Sequence, residues 1–454
     1  MFFKVRSTTK AKWRQLAAPV FLGPITFGVS LCWTSPVLPQ LQNNNDTLPI
    51  NLTVSEGSWV GSIIAIGVIL AAIPAGFLSD RFGPKKCLVF LVIPTLIFTV
   101  MVVFADNAYM LYAGRFLSGI TAGGFSALAP LYLGESAYVS RRGIVMSFFE
   151  FLIYCGVFLV SLIGAYLHYI TLTVIFGVVA LVLASGFWFF PESPMYLLRM
   201  NRRDEAIKAL KFFRSDDFNI DEAIEDMKSN YELQEKLNVK ETMMSKAGVR
   251  SLVACVGLTA FQQLTGIDCV TFYNVQIWQA ADTGMDPYDS ANILSTIIFI
   301  SHAAIVLFAE KAPRRILLYI SSAISGLSML AIGIYFHLKE YDYTFVGMKY
   351  LPMASLSLFL IGFSIGLSSV PWMITGELFP PKIKGVAGGI ITVVHWVLLF
   401  FNVKAFPIVM ESYGPQYPFY FFAICMVLCI VFIIFYVPET RGKTLEQIQK
   451  ELNA

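Results

Sequence analysis

Residues 76–86 read Gly-Phe-Leu-Ser-Asp-Arg-Phe-Gly-Pro-Lys-Lys and join two long apolar stretches, over 57–79 and 87–105. Each stretch supplies the roughly 20 apolar residues that an α-helix needs to cross a bilayer. The glycines of the run permit a tight turn and close helix packing. Acid and base stand next to each other as Asp80 and Arg81, where they can form ion pairs at a helix end. The run therefore predicts a tight connection between two membrane-spanning helices.

The composition of the whole chain is that of a membrane protein. Of its 454 residues, 56% are hydrophobic and only 14% are charged, against a usual charged share of roughly 25% in globular proteins. The chain therefore lacks the polar surface of a soluble protein. A net charge of +3 implies no nucleic-acid partner. The seven cysteines fall in or beside apolar stretches without metal-ligand spacing, so we expect neither a metal nor a cofactor.

Twelve stretches of the sequence are long and apolar enough to span a bilayer. They cover 17–38, 57–79, 87–105, 109–133, 144–165, 169–190, 250–277, 290–309, 315–337, 350–375, 385–409 and 415–437. The polar stretch after the sixth has the pattern of short amphipathic helices, over 204–214 and 221–237. We therefore predict an all-α membrane protein built of two six-helix bundles, a cytoplasmic helical linker between them and a cytoplasmic tail. In chain order, these parts cover 1–190, 191–249, 250–437 and 438–454.

Basic residues lie almost entirely on one side of this predicted topology. Of the 33 Lys and Arg, 29 lie on the side of the termini, 2 lie on the other side, and Arg115 and Lys404 lie within spans. The positive-inside rule therefore places both termini in the cytoplasm. Asn45 and Asn51 begin glycosylation sequons, and both lie in the first loop, which this orientation puts outside.

The two halves of the chain repeat a set of motifs at the predicted cytoplasmic helix ends. Ordered repetition of this kind argues for a duplication, and paired six-helix halves predict a solute site near the bilayer midplane that opens to each side in turn. The repeated motifs are Gly134-Glu135 with Gly143, which returns as Gly376-Glu377 with Gly385, and Pro191-Glu192-Ser193, which returns as Pro438-Glu439-Thr440.

These motifs resemble those of a known transporter family. The run over 76–86 is similar to the signature loop of the major facilitator superfamily, and the remaining cytoplasmic motifs look like the sugar porter family, which includes facilitative glucose transporters. The resemblance extends from Phe27 to Ile448 and implies the major facilitator fold, a small sugar as substrate and no enzymatic activity. Its further motifs are Gly114-Arg115, Pro130-x-Tyr132, Arg141-Arg142-Gly143, Pro191-Glu192-Ser193-Pro194 and Pro438-Glu439-Thr440-Arg441-Gly442.

Charged residues of these motifs predict a belt of salt bridges on the cytoplasmic face, which would hold the outward-facing state and break on inward opening. A single exposed pair contributes only about 0–1 kcal/mol, so the prediction requires a network. The predicted members are Asp80, Arg81, Glu135, Arg142, Glu192, Arg314, Glu377, Lys384 and Glu439.

Predicted helix seven carries a segment over 262–274 that resembles the family's sugar-binding segment. It begins with Gln262 and Gln263, and a primary amide offers the donors and the acceptor that complement neighbouring hydroxyls. The resemblance places aromatic walls of the sugar site at Trp372 and Trp396, whose indoles offer flat apolar faces. The gating positions that it implies are Tyr273, Gly366 and Pro371.

The predicted site departs from glucose transporters at several positions. Glu150 stands where a sugar-binding Gln is usual, Asp268 replaces an Asn, and His395 and Leu399 replace two more Asn. A carboxylate accepts hydroxyl hydrogens well, but burial without a partner is costly. We therefore expect Glu150 and Asp268 to be protonated, paired with His395 or in contact with water. In the first predicted helix, the sequence from 27 to 39 reads Phe27-Gly28-x-x-x-Cys32-Trp33-Thr34-Ser35-Pro36-x-x-Pro39, which looks like the insect trehalose-transporter-like branch of the family.

The sequence leaves the mechanism open. Residues 17–38 contain no Asp or Glu, whereas proton-coupled sugar porters usually carry an acid in helix one, so facilitated diffusion of trehalose or a hexose such as glucose is favoured. Glu150 or Asp268 could still act as a proton site, which keeps proton symport as a second hypothesis. Two weaker hypotheses are transport of a non-sugar solute and a sensor that binds a solute without transporting it.

A nucleotide-driven pump is disfavoured because the sequence has no Gly-x4-Gly-Lys-Ser/Thr loop. We expect the chain in the plasma membrane, in an oligomeric state that the sequence does not determine.

Overall fold

The structure is a computed structural model, whose described part is helical apart from turns and short connections and contains no β-strand. The described residues are 9–21, 23–42, 50–137, 142–213, 224–225, 239–308, 312–343, 345–443 and 445–453.

The first half contains nine helices before the linker region, among the residues described. They are α1 (Thr9–Phe21), α2 (Pro24–Cys32), α3 (Thr34–Gln42), α4 (Val54–Phe82), α5 (Pro84–Phe90), α6 (Val92–Val103), α7 (Ala108–Ser136), α8 (Arg142–Gly164) and α9 (Tyr169–Phe187).

The prediction of one continuous helix over 17–38 is wrong. Gly23 has a φ of 81°, outside the right-handed helical region, and it separates α1 from α2. A second interruption falls between Cys32 and Thr34. Pro36 lacks the N–H that would bond to the carbonyl of Cys32 in a continuous helix, which accounts for the end of α2 at that residue.

Polar sequence after α9 forms short helices, as the linker pattern predicts. They are α10 (Pro194–Arg199), α11 (Arg203–Phe213) and α12 (Val239–Met244). Helix α11 buries Ala206, Ala209, Leu210 and Phe213 on one face. The second amphipathic segment that we predict, over 221–237, lies almost wholly outside the described residues.

The second half repeats the pattern of long helices, with two of its predicted spans interrupted. Its helices are α13 (Lys246–Gln263), α14 (Ile267–Phe272), α15 (Asn274–Ala281), α16 (Pro287–Phe308), α17 (Arg314–Glu340), α18 (Leu351–Ile365), α19 (Val370–Leu378), α20 (Pro381–Ser412), α21 (Gln416–Tyr436) and α22 (Leu445–Asn453). Predicted helix seven is thus α13, α14 and α15 in succession. Predicted helix ten is α18 and α19, with a break over 366–369.

Ten helical stretches within the described residues are long and apolar enough to cross a membrane. They account for ten of the twelve predicted spans. The other two, over 17–38 and 290–309, coincide with the interrupted pair α2 and α3 and with α16. The prediction of an all-α membrane protein with twelve spans is confirmed.

The chain forms two compact units. The first comprises Met1–Ser30, Ile66–Val157 and Ile170–Lys236, and the second comprises Leu31–Ala65, Phe158–Tyr169 and Leu237–Ala454. Helix α3 and the first part of α4 therefore belong to the second unit. The sequence-based division into bundles over 1–190 and 250–437 stays a prediction.

An aromatic core anchors the linker helix in the first unit. Tyr132 of α7 packs edge-on against Phe187 and Phe213, at centroid distances of 5.1 and 6.2 Å. Its hydroxyl donates to the carbonyl of Pro191 at 2.7 Å. Because Phe213 is the last residue of α11, this cluster joins the linker to a membrane helix.

Candidate functional site

The candidate site in the second unit starts at the break between α13 and α14. Gly266 has a φ of 83°, in the left-handed region that favours glycine. A Cβ at this position would lie 2.4 Å from the ring of Phe422. Close packing and backbone conformation together therefore require glycine one turn after the two predicted amides.

Gln262 lies in the last turn of α13, and its side chain contacts the break in predicted helix ten. Its Nε2 donates to the carbonyl oxygens of Leu367 and Ser368 at 2.8 and 2.9 Å. Its Oε1 is buried and has no hydrogen-bond partner among the residues that the structure describes. Buried polar atoms are nearly always paired. Gln262 therefore presents one free acceptor to any solute.

Gln263 makes the second set of contacts. Its Nε2 lies 3.1 and 3.0 Å from the two ring nitrogens of His395, and the same side chain is hydrogen-bonded to Asp268. Both Gln263 Oε1 and Asp268 Oδ2 are buried without a partner in the described part of the chain. The structure thus joins Asp268 and His395 through the amide of Gln263.

Aromatic rings flank this histidine on both sides. The ring centroids of Trp372 and Trp396 each lie 5.5 Å from the centroid of His395. Trp396 is buried and Trp372 is half-buried. The two predicted aromatic walls therefore meet the amide cluster at His395.

The break over 366–369 is where the predicted hinge lies. A Cβ on Gly366 would lie 2.4 Å from the carbonyl oxygen of Leu317, so only glycine allows this approach of two backbones. Pro371 stands in the first turn of α19, where its missing N–H costs no helical hydrogen bond.

One residue at this break was missed by sequence reasoning. His302 of α16 is buried, and its Nε2 lies 2.8 Å from the hydroxyl of Ser368. A histidine inside a predicted span is the only signal that could have marked it.

Tyr273, the predicted gate residue, is fully buried at the junction of α14 and α15. Its hydroxyl donates to the carbonyl of Val403 at 2.8 Å, and its ring stacks on Phe406 at a centroid distance of 5.7 Å. A Cβ at Gly61 would lie 2.7 Å from the same hydroxyl oxygen. The ring is therefore fixed between α20 and the first part of α4.

Glu150 is the predicted site residue that the structure assigns to the first unit. It lies on α8, where its side chain is exposed. The other six predicted substrate residues belong to the second unit. These six are Gln262, Gln263, Asp268, His395, Trp372 and Trp396.

Residues of the repeated motifs form a hydrogen-bonded cluster in the first unit. Glu192 accepts from the backbone N–H of Lys85 at 2.8 Å, and a Cβ at Gly83 would meet its Oε2 at 2.4 Å. The Ser193 hydroxyl donates to Glu135. Asp80 forms a salt bridge with Arg199 at 2.8 Å. Arg81 is exposed.

The second unit builds the same cluster from the repeated motifs. Glu439 accepts from the backbone N–H groups of Arg314 and Arg315 at 3.1 Å each. The Thr440 hydroxyl donates to Glu377, which also forms a salt bridge with Arg314 at 3.1 Å. Burial acts to raise the pKa of Glu439, but these backbone donors outweigh it and hold that pKa below its usual value.

The remaining predicted residues of the cytoplasmic belt and of the sequons lie at the surface or outside the described part. Lys384 and Asn51 are exposed. The side chain of Arg142 and the whole of Asn45 lie outside the described residues. The salt-bridge belt as a determinant of the transport state stays a prediction.

Comparisons with known proteins decide the family. Residues 16–452 match the family described as sugar (and other) transporter, which is nearly the whole chain. The chain belongs to this family. Facilitated trehalose transporter Tret1 of Bombyx mori is 30% identical to it over 99% of this chain and 89% of that protein. Tret1 of Aedes aegypti is also 30% identical, over 97% of this chain, which spans about half (55%) of that protein's length.

Solved structures show that this sugar-transporter-family chain has the major facilitator fold. The inward-open conformation of the xylose transporter XylE from E. coli aligns with a TM-score of 0.81 at 22% identity, over 97% of this chain and 99% of that one. The proton:xylose symporter XylE bound to 6-bromo-6-deoxy-D-glucose aligns with a TM-score of 0.78 at 22% identity, over 98% and 99%. The predicted family and fold are both confirmed.

Within this family member, helix α3 and the start of α4 pack against the site helices of the second unit. Thr34 donates to the carbonyl of Phe272 at 3.1 Å. Lys404 of α20 donates to the Ser58 hydroxyl at 2.7 Å and lies 4.2 Å from the Trp59 ring centroid. The broken helix over 262–281 is therefore covered on this side by the N-terminal segment of the chain.

Proposed function

We propose that this chain carries a sugar, trehalose or a hexose such as glucose, across the plasma membrane by facilitated diffusion and alternating access. One observation carries the proposal: at the candidate site, the buried oxygens Gln262 Oε1, Gln263 Oε1 and Asp268 Oδ2 have no hydrogen-bond partner among the described residues. The two amide oxygens can only accept, and Asp268 Oδ2 accepts when the carboxyl is ionised, so a solute that brings hydroxyl or amine hydrogens completes them. Trp372 and Trp396 add apolar faces beside them, which suits the C–H faces of a sugar ring.

The interrupted first span favours facilitated diffusion, because proton-coupled sugar porters usually carry an acid there. The described part of 17–38 has no Asp or Glu in its sequence. The buried guanidinium of Arg115 donates from Nη1 to the backbone carbonyl of Ser30 at 2.6 Å. A main-chain carbonyl cannot take up a proton at physiological pH, so this contact offers no proton site.

Trehalose is favoured by the insect relatives, whose names describe facilitated trehalose transporters. Plasma-membrane location with cytoplasmic termini is supported by the distribution of Lys and Arg and by the exposed sequon residue Asn51.

Proton-coupled symport is the second candidate, and Asp268 favours it. An acid inside a membrane span is a functional candidate by default. Asp268 is linked through Gln263 to His395. Protonation of Asp268 would therefore change the hydrogen bonds of the Gln263 amide, which faces the solute.

Radiolabelled uptake in proteoliposomes tests the proposal, with trehalose and glucose measured with and without an imposed proton gradient. We expect saturable uptake of at least one sugar that does not depend on the gradient, and a large reduction in Gln262→Ala. Uptake that requires the gradient would select symport. Absence of uptake of both sugars by folded protein would contradict a sugar substrate.

A further inference from the structure

The break between α18 and α19 exposes peptide groups that side chains of other helices satisfy. Gln262 uses its amide nitrogen on the carbonyls of Leu367 and Ser368. Ser321 of α17 accepts from the N–H of Leu367 at 3.0 Å. His302 of α16 contacts the Ser368 side chain. An interrupted helix inside a membrane needs such partners because hydrocarbon offers none.

The protonation of His302 follows from its neighbours. Its Nδ1 lies 3.0 Å from the carbonyl oxygen of Ile298. The Ser364 hydroxyl also lies 3.2 Å from Nδ1, but it donates its own hydrogen to the carbonyl of Leu360 at 2.8 Å. Both neighbours of Nδ1 therefore accept, which assigns the ring hydrogen to Nδ1. In the neutral ring Nε2 is then an acceptor, and the Ser368 hydroxyl donates to it across 2.8 Å. Ser368 is therefore held in one rotamer by a buried partner.

This arrangement decides what Gln262 can offer to a solute. Both contacts of its Nε2 go to the break, to two successive carbonyls within 2.9 Å. The position of those carbonyls depends on the conformation of Ser368. Of the Gln262 amide, only Oε1 has no partner among the described residues. Because Oε1 and Nε2 lie in one amide plane, the contacts of Nε2 also fix the direction in which Oε1 points.

We propose that His302 is a positioning residue for the solute site. Through Ser368 it fixes the break in helix ten, the break fixes the amide of Gln262, and Gln262 Oε1 is thereby preorganised to accept a solute hydroxyl. His302 does not touch the solute itself. This inference rests on the proposed function, since it assigns a role in sugar binding.

Uptake kinetics test the chain of contacts. His302→Ala and Ser368→Ala each raise the half-saturating sugar concentration about tenfold, because each removes the same buried hydrogen bond. The double variant is no worse than either single variant, as expected for two residues acting through one contact. His302→Gln, which keeps an acceptor for the Ser368 hydroxyl, recovers part of the loss. His337→Ala serves as the matched control, since His337 is exposed on α17 and leaves the kinetics unchanged.

A sharper test asks whether the effect of His302→Ala requires the Gln262 side chain. In a Gln262→Ala background, His302→Ala produces no further rise in the half-saturating concentration, because the side chain that it positions is gone. A full additional rise in that background would overturn the proposal.

Amide hydrogen exchange of purified protein tests the same contact without transport. Peptides covering 364–371 exchange about tenfold faster in His302→Ala than in wild type, whereas peptides from Gln416–Tyr436 are unchanged. Unchanged exchange over 364–371, or faster exchange everywhere, would overturn a positioning role. If the wild type carries neither sugar, the proposed function fails while this measurement still decides whether His302 holds the break.

Discussion

Gln263 places its amide nitrogen 3.0 Å from a ring nitrogen of His395, and the histidine is enclosed by Trp372 and Trp396. The amide is also bonded to Asp268. An amide nitrogen can only donate, so a neutral His395 must turn a lone pair toward it. The three residues therefore act as one polar unit inside the membrane.

The first prediction concerns this unit. His395→Leu removes the acceptor for Gln263 while keeping apolar volume between the tryptophans, and a buried donor without a partner is costly. We expect the half-saturating sugar concentration to rise by about tenfold or more, with surface expression retained. Radiolabelled uptake in proteoliposomes measures it. His168→Leu, on the exposed turn before α9, is the control. Kinetics equal to wild type in His395→Leu would remove this histidine from the site.

The second prediction separates packing from backbone strain at glycine. Gly266 and Gly284 have nearly the same φ, 83° and 82°, but only Gly266 has a neighbour where a Cβ would stand. Gly266→Ala must displace Phe422, whereas Gly284→Ala has open space within 4 Å. We expect the melting temperature of purified protein to fall by about 5 °C or more in Gly266→Ala and by clearly less in Gly284→Ala. Equal losses would show that strain alone requires glycine.

The third prediction is a pH dependence of stability at Glu439. Backbone N–H groups hold the pKa of Glu439 below its usual value, so its contribution to stability is present above the unfolded-state pKa. That contribution is lost as pH falls through the lower folded-state pKa. Wild type should therefore melt at a higher temperature than Glu439→Gln at pH 7, and the gap should narrow as the pH approaches about 4, near the ordinary pKa of a glutamate. Glu446→Gln, on the exposed face of α22, is the control. A constant gap across this range would contradict the carboxylate's role.

The fourth prediction concerns Lys404, a cation within a membrane span. It donates to Ser58 and to the carbonyl of Ser55 and lies over Trp59, which joins α20 to the start of α4. Lys404→Met keeps the length of the side chain but removes these contacts. Gln276 of α15 donates to Gln42 of α3, so it lies at the contact between the N-terminal helices and the site helices. We expect faster labelling, by roughly threefold to tenfold, of a cysteine introduced at Gln276 by a membrane-impermeant maleimide.

Lys443→Met is the matched control for this experiment, since Lys443 pairs with Glu451 of α22. It should leave labelling at position 276 unchanged. Equal labelling of wild type and Lys404→Met would show that Lys404 does not stabilise the contact between α20 and the start of α4.

The repeated motifs show how much of the two motif clusters could be predicted from the sequence. Equal spacing of Glu135 and Glu377 from their glycines predicts equivalent positions, and the structure gives each a hydroxyl donor, Ser193 or Thr440. Sequence reasoning expected cations opposite Glu192 and Glu439. The structure instead gives both carboxylates backbone N–H donors at the start of a helix that comes earlier in the chain, Lys85 of α5 for Glu192 and Arg314 of α17 for Glu439.

The sequence by itself determined the membrane spans, the duplicated motifs and the family, because apolar length and motif spacing are properties of consecutive residues. It also marked Gln262 and Gln263. Only the tertiary structure decided that Gln262 holds the break in helix ten, that Gln263 joins Asp268 to His395, and that His302 supports Ser368. Each of these contacts joins residues from different helices, and hydrogen-bond partners within a few ångströms are set by helix packing, which no local pattern encodes.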